Sequence, residues 1–242
     1  MKKLLFILLL VSNYAFGQTC PGTPINIDLT STTSDCGVGP YGSANWLPTL
    51  SADILYLAVY ITHSTTINNF GTLSSSTGTD WDTVLQVASG TSRIAVYRCL
   101  PTTNIGNETL TVTFTGTERI TGGFFGHLLA FSGVQLGANG ANAIKQYVTG
   151  NGNSADPSLT LAALGQKNLV MSWFAEDANQ NGTPESGWTE YGDFNCTTPF
   201  SMYIMGRVNT TDNTPTVTAG SSVWLGAALE LRQCGRRVTL IN

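Results

Sequence analysis

The chain carries one pattern of strands twice, and this repetition limits the possible folds more than any other feature. Asp53–Val59 (DILYLAV) and Asn168–Phe174 (NLVMSWF) are apolar runs of similar length, each followed by a polar loop and a Trp, Trp81 or Trp188. Each Trp leads to a strand ending in Arg98 or Arg207, then to Thr111–Thr113 or Thr216–Thr218 (Thr-Val-Thr), then to an apolar strand carrying Gly126 or Gly226. The offset between equivalents falls from 114 residues at Leu55/Leu169 to 100 at Gly126/Gly226, as expected when surface loops vary on a common core. Runs rich in Val, Ile, Thr, Tyr and Phe between Gly, Asn and Ser turns read as antiparallel β. Nowhere do apolar residues hold a helical period over a dozen residues.

The expected fold is all-β: a single two-sheet antiparallel β-sandwich, jelly-roll-like, built from two repeat-related halves at about 46–134 and 158–232. Four or five strands per half are expected to cross between the two sheets. Two tandem immunoglobulin-like domains are the alternative; the absence of a Pro-rich or charged linker and of Cys…Trp…Cys spacing argues against them. Strands are predicted near 25–30, 53–62, 82–88, 92–99, 109–115, 122–132, 158–163, 168–175, 187–192, 201–208, 214–219 and 222–232. Ala138–Tyr147 is the one candidate helix, weakened by Gly137 and Gly140.

Residues 1–17 read as an export signal: Lys2-Lys3, the apolar Leu4–Val11, then Ala15-Phe16-Gly17 as a small-x-small cleavage site. The apolar run is far shorter than the roughly 20 residues of a spanning helix, so no membrane insertion is expected. Residues 18–45 form an N-terminal segment with the first strand, 46–235 the sandwich and 236–242 a tail. Secretion or cell-surface placement follows. Charged residues are 11% of the chain, and Thr, Ser, Asn and Gly take their place on the surface. A net charge of −4 offers no basic face for nucleic acid. Export permits disulfides among the five cysteines. Cys20 and Cys36, flanking the first strand, are the favoured pair as a local clasp, and the pairing of Cys99, Cys196 and Cys234 stays open.

Phe124–Val134 (FFGHLLAFSGV), with its aromatic-Ser-Gly-Val end, and Gly187-Trp188-Thr189 resemble segments of β-sandwich proteins from bacterial surfaces and phage particles. The resemblance spans roughly Trp46–Arg232 and implies a β-sandwich with a surface, adhesive or virion-associated role.

Two candidate sites emerge. Asp177-Ala178-Asn179-Gln180-Asn181-Gly182 places oxygen side chains at loop positions 1, 3 and 5 with Gly at 6, a pattern that can wrap Ca²⁺, with Glu176 and Glu185 as sources of further carboxylate oxygen. Trp188 stands where a bidentate Glu belongs, so the competing reading is a polar turn. Tyr41, Trp46 and Tyr191 are the aromatic candidates for stacking on sugars. Trp81, Trp173, Trp188 and Trp224 are expected in the core. No catalytic site is expected: Asp80/Asp82 and Glu185/Glu190 are ordinary loop acids, His63 has no Ser or Cys partner in a recognisable elbow, and His127 reads as a packed, hydrogen-bonded residue. The expected function is a non-catalytic glycan-binding or adhesive surface module, its partner a carbohydrate or cell-surface glycan. The alternative is a structural protein that assembles with itself in an extracellular or phage structure.

Overall fold

The computed structural model describes residues 26–35, 43–46, 48–64, 69–114, 123–196 and 200–234. The first half contributes β1 (Asn26–Asp35), β2 (Ser43–Trp46), β3 (Leu55–His63), β4 (Thr72–Ser75), β5 (Asp82–Ser89), β6 (Ser92–Cys99), β7 (Leu110–Thr113) and β8 (Gly123–Ser132). A 3-10 turn at Ala138–Ala143 leads into the second half: β9 (Ile144–Ser154), β10 (Leu169–Glu176), β11 (Thr183–Pro184), β12 (Thr189–Cys196), β13 (Phe200–Val208), β14 (Val217–Thr218) and β15 (Ser222–Leu231). These form two five-stranded antiparallel sheets, β1-β8-β3-β6-β5 and β9-β15-β10-β13-β12, with one strand order in both halves.

Apolar side chains alternate along the central strands and fill three cores. Leu55, Leu57, Val59 and Ile61 of β3 face inward against Leu169, Met171, Trp173 and Ala175 of β10, making the core between the large sheets. On the outside, Tyr56, Ala58 and Tyr60 pack with Leu110 and Val112 of the small sheet β2-β7-β4. In the second half Val170 and Phe174 pack with Val217 of the small sheet β11-β14. Burial on both faces is why β3 and β10 read as continuous apolar runs and not as alternating ones.

The all-β sandwich expected from sequence is present, but its strands are shared out differently. Each large sheet takes all five strands from one half. A central strand that is apolar on both faces needs an outer cover as well as an inner partner, and each half supplies its own small sheet. The repeated glycines also find a reason here. Gly126 lies opposite Tyr60 and Gly226 opposite Phe174. A Cβ on Gly226 would come within 2.8 Å of Phe174 Cδ1, so the ring lies across the bare backbone.

The predicted helix over Ala138–Tyr147 shrinks to the 3-10 turn, and Ile144 already begins β9. The sequence of Gly150–Pro157 reads as a short polar loop, yet Gly150–Ser154 belong to β9. A Cβ on Gly152 would approach Trp224 Nε1 to 3.0 Å, and one on Gly150 would approach Leu159 Cδ2 to 2.8 Å. The strands β2, β4 and β11 are short and carried no apolar signal, whereas the predicted strand at 158–163 is not a regular strand: it makes the Ser158–Thr216 bridge and backbone hydrogen bonds from Leu159 to Pro215 and from Leu161 to Asn213. Among the described residues no helix is long and apolar enough to cross a membrane.

Candidate functional site

Loops at the end of β6 and before β5 enclose a cleft of about 410 Å³ on the first half. Thr77, Gly78, Thr79 and Asp80 form one wall, Leu100, Pro101, Thr102, Thr103 and Ile105 another, with Cys99 and Asn139 completing the lining. The polar wall is held by the buried carboxylate of Glu108. It accepts hydrogen bonds from Ser75 Oγ (2.7 Å), the Ser76 amide (3.0 Å), Thr77 Oγ1 and Thr79 Oγ1 (2.8 Å). Burial alone would raise the Glu108 pKa, but these donors reverse the effect and hold it below the ordinary carboxylate value. The 75–79 loop is thus wrapped around a fixed charge.

Asn139 anchors the opposite side. It adopts φ 43, a left-handed conformation that Asn tolerates better than most residues. Its Oδ1 accepts from the Leu100 amide at 2.9 Å, and its Nδ2 donates to Asp82 Oδ2 at 3.0 Å. Asp82 Oδ2 also receives Arg98 Nη2 at 3.0 Å. Gly140 follows at φ 74, and a Cβ there would meet Leu55 Cδ1 at 2.3 Å. The turn is therefore pinned to the sheet edge, and the cleft floor is rigid. Chemically the site offers hydroxyls, an exposed carboxylate at Asp80 and an apolar strip from Leu100, Pro101 and Ile105. Cys99 is buried with a free thiol, which burial pushes up to about 12, so it presents no thiolate.

Of the predicted aromatic set, Tyr191 does not line this cleft. Trp46 stands in β2 opposite Leu110, in the small outer sheet of the first half. Tyr191 lies in β12 at the edge of the other large sheet, half-buried against the central core. Tyr41 lies outside the described residues, as do Cys20 and Cys36. Trp173, Trp188 and Trp224 are buried, as expected. Trp188 Nε1 donates to Asp212 Oδ2 at 3.0 Å. Trp81 packs only partly against the first outer core.

The predicted calcium loop has other partners. Asp177 turns toward the first half, where His63 Nε2 lies 3.2 Å from Oδ1, Ser92 Oγ donates to Oδ1 at 3.0 Å and Thr91 Oγ1 donates to Oδ2 at 3.3 Å. Asn181 Oδ1 accepts from Asn195 Nδ2. Asn179 and Glu185 are exposed. Among the described residues no three His, Cys, Asp or Glu side chains are grouped as a metal site. Sequence reasoning missed the Asp177–His63–Ser92 contact because its members come from both halves. It is not a nucleophile relay, since Ser92 donates to the carboxylate and not to the imidazole.

Three further ionisable groups, two buried (His127 and Glu176) and one half-buried (Asp193), lack full compensation. His127 sits in the central core against Phe194, ring centroids 5.1 Å apart, and neither ring nitrogen has a hydrogen-bond partner. Desolvation drives its pKa down to about 3, so the expectation of a hydrogen-bonded histidine is corrected to a neutral, purely packed one. Burial raises Glu176 to about 7 and Asp193 to about 6, the latter helped by the nearby Glu190 charge. The Tyr203 hydroxyl reaches Glu176 Oε2 at 3.4 Å. Compared with known proteins, the chain matches no family model and no curated sequence.

Proposed function

We propose that the protein is an exported, non-catalytic glycan-binding or adhesive module that takes a sugar in the cleft between Asp80 and Asn139. One observation carries this reading: Thr77, Thr79, Thr102 and Thr103, the Asp80 carboxylate and the Asn139 amide surround an apolar strip of Leu100, Pro101 and Ile105. Sugars present hydroxyls at their rims and C–H groups on their faces, and a site of this mixed kind serves both. The Glu108 and Asn139 networks fix the walls in advance, which lowers the ordering cost of binding. With Asp177 engaged by His63, Ser92 and Thr91, this reading does not depend on calcium.

The self-assembly reading rests on a separate observation. β9 is an eleven-residue edge strand, and its Tyr147 is 55% exposed. An edge of that length offers unpaired main-chain groups to a second copy. A glycan array probed with the full chain and with Asp80→Ala, each with calcium and with chelator, tests the sugar reading. Saturable binding that the variant loses supports it. A blank array, together with a concentration-dependent oligomer in light scattering, transfers the assignment to assembly.

A further inference from the structure

We infer that Lys145 and Asn168 become joined by an amide bond between their side chains, formed once by the folded protein itself with Glu230 carrying the proton. The groups such a reaction needs stand together on the outer face of the second large sheet: an amine, a carboxylate, a side-chain amide and a donor on that amide's oxygen. None of them lines the cleft, so the inference does not depend on the glycan reading.

Strand register brings them together. Glu230 of β15 lies opposite Val170 of β10, and Asn168, two residues earlier, is its diagonal neighbour. On its other side β15 meets β9 with a bulge: Gln146 pairs with Glu230 and Ile144 with Leu231, which leaves Lys145 as the extra residue. A bulge re-aims a side chain out of strict alternation, and here Lys145 and Gln146 both reach the Glu230 carboxylate. Lys145 Nζ lies 3.2 Å from Oε1 and 3.2 Å from Oε2, and Gln146 Nε2 donates to Oε2 at 2.6 Å.

Glu230 is 0% exposed, and Asn168 is buried beside it. Asn168 Nδ2 donates to Oε1, the same oxygen that Lys145 contacts. Asn168 Oδ1 accepts from the Gln233 amide at 3.1 Å, so both ends of the side-chain amide are fixed by their partners. The 162–165 segment covers the group. The Gly165 amide donates to Oε1 at 2.6 Å, Lys145 Nζ donates to Ala163 O at 3.1 Å, and a Cβ on Gly165 would collide with Asn168 Nδ2. Burial alone would raise the Glu230 pKa, but Asn168, Gln146, Gly165 and Lys145 outweigh it and keep the carboxylate ionised.

Two nitrogens bonded to one oxygen lie roughly 4–5.5 Å apart. A turn of the flexible lysine stem then brings Nζ to Asn168 Cγ, within the roughly 3–3.5 Å of an attacking pair. Glu230 takes a proton from the Lys145 ammonium, and the freed lone pair forms the Nζ–Cγ bond. The Gln233 N–H stabilises the negative charge that develops on Oδ1. Glu230 passes the proton to Nδ2, to which it is already bonded, and the Cγ–Nδ2 bond breaks. In all Nζ sheds two of its three protons, both end on the departing nitrogen, and that nitrogen leaves as ammonium. No oxidant, cofactor or second protein is consumed. The product ties β9 to the start of β10 across β15.

Mass spectrometry of the reduced, denatured full chain tests this, intact and after trypsin, beside Lys145→Arg and Glu230→Gln. An unlinked chain yields the peptides 120–145, 146–167 and 168–207. The expected result is an uncut Lys145, with 120–167 joined to 168–207 and lighter by one ammonia, and both variants at their plain mass. Succinimide formation at an Asn-Gly pair also sheds ammonia, but it leaves Lys145 cleavable and persists in Lys145→Arg. A wild-type chain cut at Lys145, with 168–207 free, overturns the inference and leaves the cluster as a neutralised buried carboxylate. A cross-link that survives in Glu230→Gln overturns the role given to Glu230.

Discussion

His63 Nε2 lies 3.2 Å from Asp177 Oδ1, joining the last residue of β3 to the residue that follows β10. The contact closes one end of the central core, where the His63 ring also packs on Phe200 with centroids 5.2 Å apart. Burial would raise the Asp177 pKa, but His63, Ser92 and Thr91 outweigh it and hold the carboxyl below its ordinary value. A depressed folded pKa gives stability that is present above the unfolded pKa of 3.8 and is lost as pH falls through the folded one. Asp177→Ala and His63→Ala should each cost about 1–2 kcal/mol near neutral pH, and the double variant less than their sum. Urea unfolding of the four proteins checks this; strict additivity refutes a coupled pair.

His127 should make the protein acid-sensitive. Its folded pKa of about 3 lies below the unfolded 6.5, so between these values the unfolded chain binds a proton that the folded chain excludes. Stability from this group therefore falls as pH drops through that window, by up to about 4 kcal/mol at pH 3. His127→Leu, of similar volume and without the titrating ring, should flatten the pH dependence of Tm between pH 6.5 and 4. An unchanged slope would show that His127 is hydrated or paired in solution.

Glu176 acts with the opposite sign. Burial raises its pKa from 4.5 to about 7, so the folded state holds a proton that the unfolded state releases, and stability declines as pH rises through this range. Glu176→Gln should stabilise the protein by about 2 kcal/mol at pH 8 and leave it nearly unchanged at pH 4.5. Thermal unfolding at the two pH values separates the outcomes, and equal shifts at both refute an ionisation effect.

The cleft and the core respond differently to substitution. Asn139→Ala removes the acceptor of the Leu100 amide and the donor to Asp82. It should cost about 1–2 kcal/mol of stability and weaken any array-positive sugar about tenfold, read by titration calorimetry. Trp173→Ala, at the fully buried centre of β10, should cost about 3–5 kcal/mol without changing the cleft. Sugar affinity that follows Trp173 and ignores Asn139 would remove the cleft from consideration.

Sequence alone determined the β class, the duplication and the buried strands. Apolar periodicity is a local signal, and β3, β10, β8 and β15 carry it along their whole length. It also placed Trp173 and Trp224 in the core, because they lie in β10 and β15, whereas Trp81, expected there as the repeat equivalent of Trp188, is only partly buried. The tertiary structure decided what local pattern cannot encode. β9 was hidden because Gly150 and Gly152 look like a turn until Trp224 and Leu159 are seen lying against them. The cleft draws Asp80, Leu100 and Asn139 from three separate loops, and its rim depends on Glu108, a residue with no motif around it. Asp177 resembled a calcium ligand by its spacing, yet its carboxylate turned to His63, 114 residues away in the chain. Such contacts are set by which sheet faces which. That follows from two strands apolar on both sides, each needing a partner within and a cover without.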